Sequence, residues 1–229
     1  MHTGIEGEAL AYDVLRSEWI FTLLIIPVLL YLFVSMYEKY SLIRIIKIVF
    51  SNKFAHTSFR NVNPGVQIFQ MLLGLLSFIS ISTFLLLTEL HFNIIFFDLE
   101  PVFLWIFNLA LISLVVTLRF IIINIIGFIS NTKETFKEYF FNISRSYKLI
   151  GILMMIMNFF IVYLVIVPDI WFIYLSFLLI TIIMIFRVIR LIYIFLLNRL
   201  SLYYMILYLC ALEIFPVLII IRYLGGQLD

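Results

Sequence analysis

The chain has 229 residues, 65% of them hydrophobic and 12% charged, and its mean hydropathy is +1.20, a balance that excludes an ordinary soluble domain. Its net charge is +2 and its basic residues flank apolar runs instead of forming a solvated stripe, which excludes a nucleic-acid reader despite 25 Phe and 13 Tyr. Cys210 is the single cysteine and His2, His56 and His91 are scattered, so no disulfide, metal centre, haem or other cofactor is expected.

Residues 1–18 carry Glu6, Glu8, Asp13 and Glu18 against Arg16, the reverse of the basic start of a secretory signal, so the first apolar run is expected to be retained. A span needs about 20 apolar residues to cross about 30 Å of hydrocarbon. Six stretches meet that length, at 19–37, 68–88, 102–129, 149–167, 170–197 and 202–223. None alternates with the period of a barrel strand, and an open sheet cannot satisfy its backbone in lipid. The expected fold is therefore all-α: a polytopic transmembrane helix bundle of six spans, forming one integral membrane domain over residues 1–229.

Two short interfacial helices are expected on the cytoplasmic side. In residues 41–50, Arg44 and Lys47 share one face, with isoleucines and Phe50 around the rest. Asn131, followed three residues later by Glu134, resembles an N-cap that opens a second such helix through Lys137 and Tyr139. The short connections at 91–101 and 167–169 predict antiparallel hairpins. Pro27 in the first span and Pro216 in the sixth have no counterparts in the other half, and no internal repeat is visible.

Orientation follows from the basic residues. Lys39, Arg44, Lys47, Lys53 and Arg60 lie between spans one and two, Lys133, Lys137, Arg145 and Lys148 between three and four, and Arg199 after span five. Glu6, Glu8, Asp13, Glu18, Glu89, Asp98, Glu100, Asp169 and Asp229 fall on the other side, with Arg16 and Arg222 as the basic exceptions. Both termini are expected to be periplasmic, and the basic flanks would attract anionic lipid at the cytoplasmic face.

Four charges fall inside the expected spans: Arg119, Arg187, Arg190 and Glu213. A charge at a helix centre costs about 2.5 to 3.5 kcal/mol on insertion scales, so each needs a reason. At 1.5 Å per residue, Arg119, Arg187 and Glu213 lie roughly 16 to 18 Å from the cytoplasmic ends of their spans. Arg190 follows Arg187 by three residues and shares its helix face. The expectation is that Glu213 pairs with Arg119 or Arg187 and leaves an arginine for an anionic group; the competing reading is that the arginines snorkel and Glu213 is protonated. Pro216 is a candidate kink beside Glu213. Asn124, Asn158, Ser80, Ser82 and Thr117 are expected to form hydrogen bonds between helices.

Residues 208–216, Tyr-Leu-Cys-Ala-Leu-Glu-Ile-Phe-Pro, resemble the C-terminal signature of a Bacteroidota family of membrane proteins, the domain of unknown function numbered four-two-seven-one. Residues 4–7, Gly-Ile-Glu-Gly, resemble the start of its Bacteroidales members. The resemblance implies a bacterial inner membrane. It gives Glu213 and Pro216 a place in the family motif and names no catalytic residue.

The requirements of intramembrane enzymes are not met. A serine protease needs a Ser with a His or Lys base, a metalloprotease a His-Glu-x-x-His run, and a CDP-alcohol transferase several aspartates on one helix. The expected role is a non-catalytic subunit or an assembly or scaffold factor of a cell-envelope complex, with envelope proteins as partners. The alternative is a small carrier or binder of an anionic substrate or lipid that uses the Arg/Glu layer.

Overall fold

The computed structural model describes residues 18–37, 64–92, 100–129, 133–164 and 166–197, and among these all the regular structure is helical. Among the described residues there are five helices: α1 (Glu18–Tyr37), α2 (Pro64–His91), α3 (Pro101–Ile129), α4 (Lys133–Tyr163) and α5 (Asp169–Leu197). Each contains a stretch long and apolar enough to cross a membrane. The sixth expected span at 202–223, with Glu213 and Pro216, and the expected interfacial helix at 41–50 lie outside the described residues.

Helix starts follow local chemistry. Pro64 and Pro101 open α2 and α3, where the missing N–H has no intrahelical partner to lose. The Glu100 carbonyl accepts from the Leu104 N–H at 3.1 Å. Glu18 and Asp169 place a carboxylate in the first turn of α1 and α5, against the positive end of the helix dipole.

The fourth helix differs from expectation. The segment read as a separate interfacial helix is the beginning of α4, which runs unbroken for 31 residues. No proline interrupts the sequence from Lys133 to Tyr163, so a helix nucleated in the basic segment propagates into the span. The span also ends earlier than 167. The Leu164 N–H bonds back to Phe160, and Pro168 disfavours helical backbone at Val167.

The inner pair is α2 and α4, which bury more than half of their span residues, against about a fifth for α1, α3 and α5. The two run parallel. Gln70 meets Lys148, Ser77 meets Gly151 and Ser80 meets Asn158, so numbers rise together along both helices. Lipid tails are as apolar as leucine, so close packing holds such helices together. Gly151 supplies it: a Cβ built there would fall inside the Ser77 Cα and side chain. Around this crossing, Leu73, Leu76 and Phe84 of α2 pack with Ile150, Met154 and Ile161 of α4, and α1 adds Ile20, Leu24 and Val34.

Most hydroxyls are satisfied within their own helix, as lipid requires. Ser77 donates to the Leu73 carbonyl at 2.7 Å, Thr88 to Phe84 at 2.9 Å and Ser176 to Phe172 at 2.7 Å. The expected bonds between helices are corrected at two positions. Ser82 bonds to Ile79 and Thr117 to Ser113 on their own helices. Asn158 does cross, its Nδ2 donating to the Ser80 carbonyl at 2.9 Å. Asn158→Leu is expected to lower unfolding stability in mixed micelles by about 0.6 kcal/mol, the average for such a bond. A gain in stability would show that this contact does not hold α2 to α4.

Candidate anion site

Two residues expected to share a membrane layer are on adjacent sides of one tyrosine. Arg119 lies about 27 Å along α3 from Pro101, and Arg187 about 27 Å along α5 from Asp169. Helix α4 runs the opposite way and brings Tyr147 to the same level, about 24 Å from Tyr163. Arg119 Nη1 donates to Tyr147 Oη at 3.3 Å. The Arg187 guanidinium lies over the same ring, 5.1 Å from its centroid, and its Nη1 reaches Met184 Sδ at 3.6 Å. The phenol therefore engages two cations at once, one through its oxygen lone pair and one through its π face.

Both guanidinium groups are held inside the bundle. Arg119 is 6% exposed and Arg187 4% exposed, which differs from snorkelling to the surface. Arg190, further along α5, is half-buried. Glu213 lies outside the described residues, and so does its expected pairing.

Lys148 joins this layer from α4. It is 6% exposed and its Nζ donates to Gln70 Oε1 of α2 at 2.8 Å. Reading Lys148 as part of a basic connection missed it, because the connection is the first half of α4. Tyr147 was missed as well, since one aromatic among many carries no distinguishing signal in an apolar sequence. The spacing of Ser144, Tyr147 and Gly151, and of Ser144 and Lys148, places these residues on one side of a helix and could have found the face.

A cavity of about 50 Å³ opens where α2, α3 and α4 meet. Its surface is almost wholly apolar, and its lining residues include Arg119, Lys148, Tyr147, Ser144 and Ser77 beside Phe78, Val116, Phe140 and Ile143. At roughly 10 to 15 Å³ per water position, it holds a group of a few heavy atoms, the size of a phosphate or carboxylate. The Phe120 and Phe140 rings, 4.9 Å apart, lie across α3 and α4 next to it. Arg145 is buried too, but its guanidinium sits over the Phe141 ring at 4.9 Å and it does not line the cavity.

The opposite end of the bundle has acidic character. Glu89, read from sequence as a residue of the outer side, is buried at the end of α2 and accepts from Asn108 Nδ2 at 2.7 Å. One turn away, Trp105 Nε1 donates to Thr83 Oγ1 at 3.2 Å. Among the residues whose side chains are described, Glu18, Glu89, Glu100 and Asp169 lie toward this end, while Arg119, Arg145, Lys148, Arg187 and Arg190 lie toward the other.

Five long apolar helices with exposed Leu29, Phe103, Leu114, Trp171 and Ile189 around a buried cationic layer define an integral membrane protein. The family model described as Domain of unknown function (DUF4271) matches residues 20–224, and the chain belongs to that family. No curated protein and no solved structure matches the chain.

Proposed function

We propose that this protein binds an anionic group inside the membrane, in the cavity lined by Arg119 and Lys148. The observation that carries this reading is a space of phosphate size bordered by two buried cationic side chains, with a third cation, Arg187, on the shared tyrosine. Burying each cation sacrifices hydration, and several in one layer repel each other more strongly than they would in water. An anion in the cavity offsets both. Glu213 is proposed as the counter-charge to one arginine.

The proposed setting is a bacterial inner membrane with the basic end of the bundle in the cytoplasm and both termini periplasmic, as the positive-inside rule favours. The role of non-catalytic subunit or assembly factor in an envelope complex rests on the apolar exterior alone. Lipid covers such an exterior as well as a partner does, so anion binding is the better supported reading.

Thermal unfolding in mild detergent tests it. At matched ionic strength, phosphate is expected to stabilise the protein more than chloride. Tyr147→Phe keeps the ring under Arg187 and removes the acceptor that aims Arg119. It is expected to weaken phosphate binding about fivefold, the equivalent of one hydrogen bond near 1 kcal/mol. Equal responses to phosphate and chloride would contradict the proposal, as would an unchanged phosphate titration in Tyr147→Phe.

A further inference from the structure

Helix α3 carries an ordered seam on its lipid side. Phe107, Leu114 and Ile121 recur every seven residues, Ala110, Thr117 and Asn124 recur at the same interval between them, and all six are exposed. Large and smaller side chains thus alternate at three and four residues, the repeat that holds one stripe of a helix against a partner along its length. Asn108 and Arg119 are buried on the other side of α3.

The exposed threonines of the spans satisfy themselves. Thr22, Thr117 and Thr181 each return the hydroxyl to a carbonyl of their own helix, at 3.5, 2.8 and 2.8 Å. Asn124 does not: it is exposed and makes no hydrogen bond among the described residues. It lies in the apolar run 120–129, with exposed Ile125 and Phe128 beyond it. A side-chain amide has two N–H donors and a carbonyl, and lipid tails satisfy none of them.

Lipid covers an apolar seam as well as protein does, but it cannot bond Asn124. We infer that two copies of this chain pair through α3 in the membrane, with Asn124 of each bonded to Asn124 of the other. Every copy inserts in the same orientation and to the same depth, so across a twofold axis along the membrane normal each seam residue meets its own counterpart. Asparagine is complementary to itself, because Nδ2 of one amide donates to Oδ1 of the other. A partner of unrelated sequence needs a matching donor and acceptor at this depth, and a second copy carries them by identity. Phe107, Leu114 and Ile121 then pack beside the smaller Ala110 and Thr117 of the facing helix. Arg119 lies on the opposite side of α3, so pairing leaves the cavity uncovered and does not rest on anion binding.

The test reconstitutes the full chain in phosphatidylcholine vesicles, part labelled with a donor dye and part with an acceptor at the N-terminus, and follows energy transfer as lipid dilutes the protein. Asn124→Leu is expected to weaken pairing about five- to thirtyfold, the factor for one interhelical polar bond in model membrane peptides. Asn124→Gln keeps the amide and should retain most of the association. Ala110→Phe closes the seam and should abolish pairing without loss of unfolding stability, since Ala110 is exposed. In a Cys210→Ala background, oxidation should join two copies through Leu114→Cys or Ile121→Cys but not through Leu178→Cys, which is similarly exposed on α5. Energy transfer no greater than random proximity, unchanged association in Asn124→Leu, or equal crosslinking through Leu178→Cys overturns the inference. A disulfide formed within one chain between Ile121→Cys and the native Cys210 overturns it too, because the run 202–223 would then cover this face.

Discussion

Gly151→Ala is expected to force α2 and α4 apart and to destabilise the protein by about 1 to 3 kcal/mol or more, the range for overpacking a fitted interior. The cause lies in what the new methyl meets. It falls on the Ser77 Cα as well as on its side chain, and a backbone atom cannot rotate away as a side chain does. Both residues are buried at the crossing of the two innermost helices, so relief requires a rigid shift that also separates Lys148 from Gln70 and Asn158 from Ser80. Ser77→Gly should rescue Gly151→Ala only in part, because it removes the Cβ and hydroxyl and leaves the Cα. Gly74→Ala is the contrasting case: the space there is open, and alanine favours helix over glycine by about 0.8 to 1 kcal/mol, so stability should hold or rise. Unfolding midpoints in mixed micelles, together with size-exclusion profiles, distinguish the two glycines. Native stability in Gly151→Ala would refute the parallel α2–α4 crossing.

Arg119→Met is expected to weaken phosphate binding about ten- to a hundredfold, because a hydrogen bond to a charged group contributes about 1.5 to 3 kcal/mol. Methionine keeps much of the stem volume, so the loss falls on the charge and the donors. Lys148→Met should act similarly, and the double variant should lose binding altogether. Arg119→Lys separates the two contributions: it keeps a positive charge and loses the planar fork that grips two oxygens, so an intermediate loss is expected. Arg145→Met is the matched control. It removes the same formal charge from the same end of the bundle, but Arg145 sits over Phe141 and does not line the cavity. Binding should therefore fall far less than in Arg119→Met. Equal losses in the two variants would mean that net charge attracts the anion and that no pocket holds it.

Helix placement was legible in the sequence because hydrocarbon imposes a length. Spans expected at 19–37, 102–129 and 170–197 begin within one residue of α1, α3 and α5 and end with them. The depth of Arg119 and Arg187 could also be read, since rise per residue converts position into height. Lateral arrangement could not. That α2 and α4 form the inner pair depends on Gly151 meeting Ser77, and glycine and serine in an apolar run look alike whether they face lipid or a neighbour. Tyr147 stayed hidden for the same reason: its importance comes from two arginines on other helices. The beginning of α4 was misread because a basic, polar stretch matches an interfacial helix equally well when a span continues from it without a break. Lys148 was consequently assigned to a connection, although its stem runs inside the bundle to Gln70.

Phosphate is expected to occupy the cavity between α2, α3 and α4. Solid-state NMR distances between the phosphorus of added inorganic phosphate and the guanidinium nitrogens of selectively labelled Arg119 test this most directly. A phosphorus atom in contact with Arg119 is expected, lost in Lys148→Met while the Arg119 signal itself persists. Phosphorus remote from Arg119 in the native protein would contradict it.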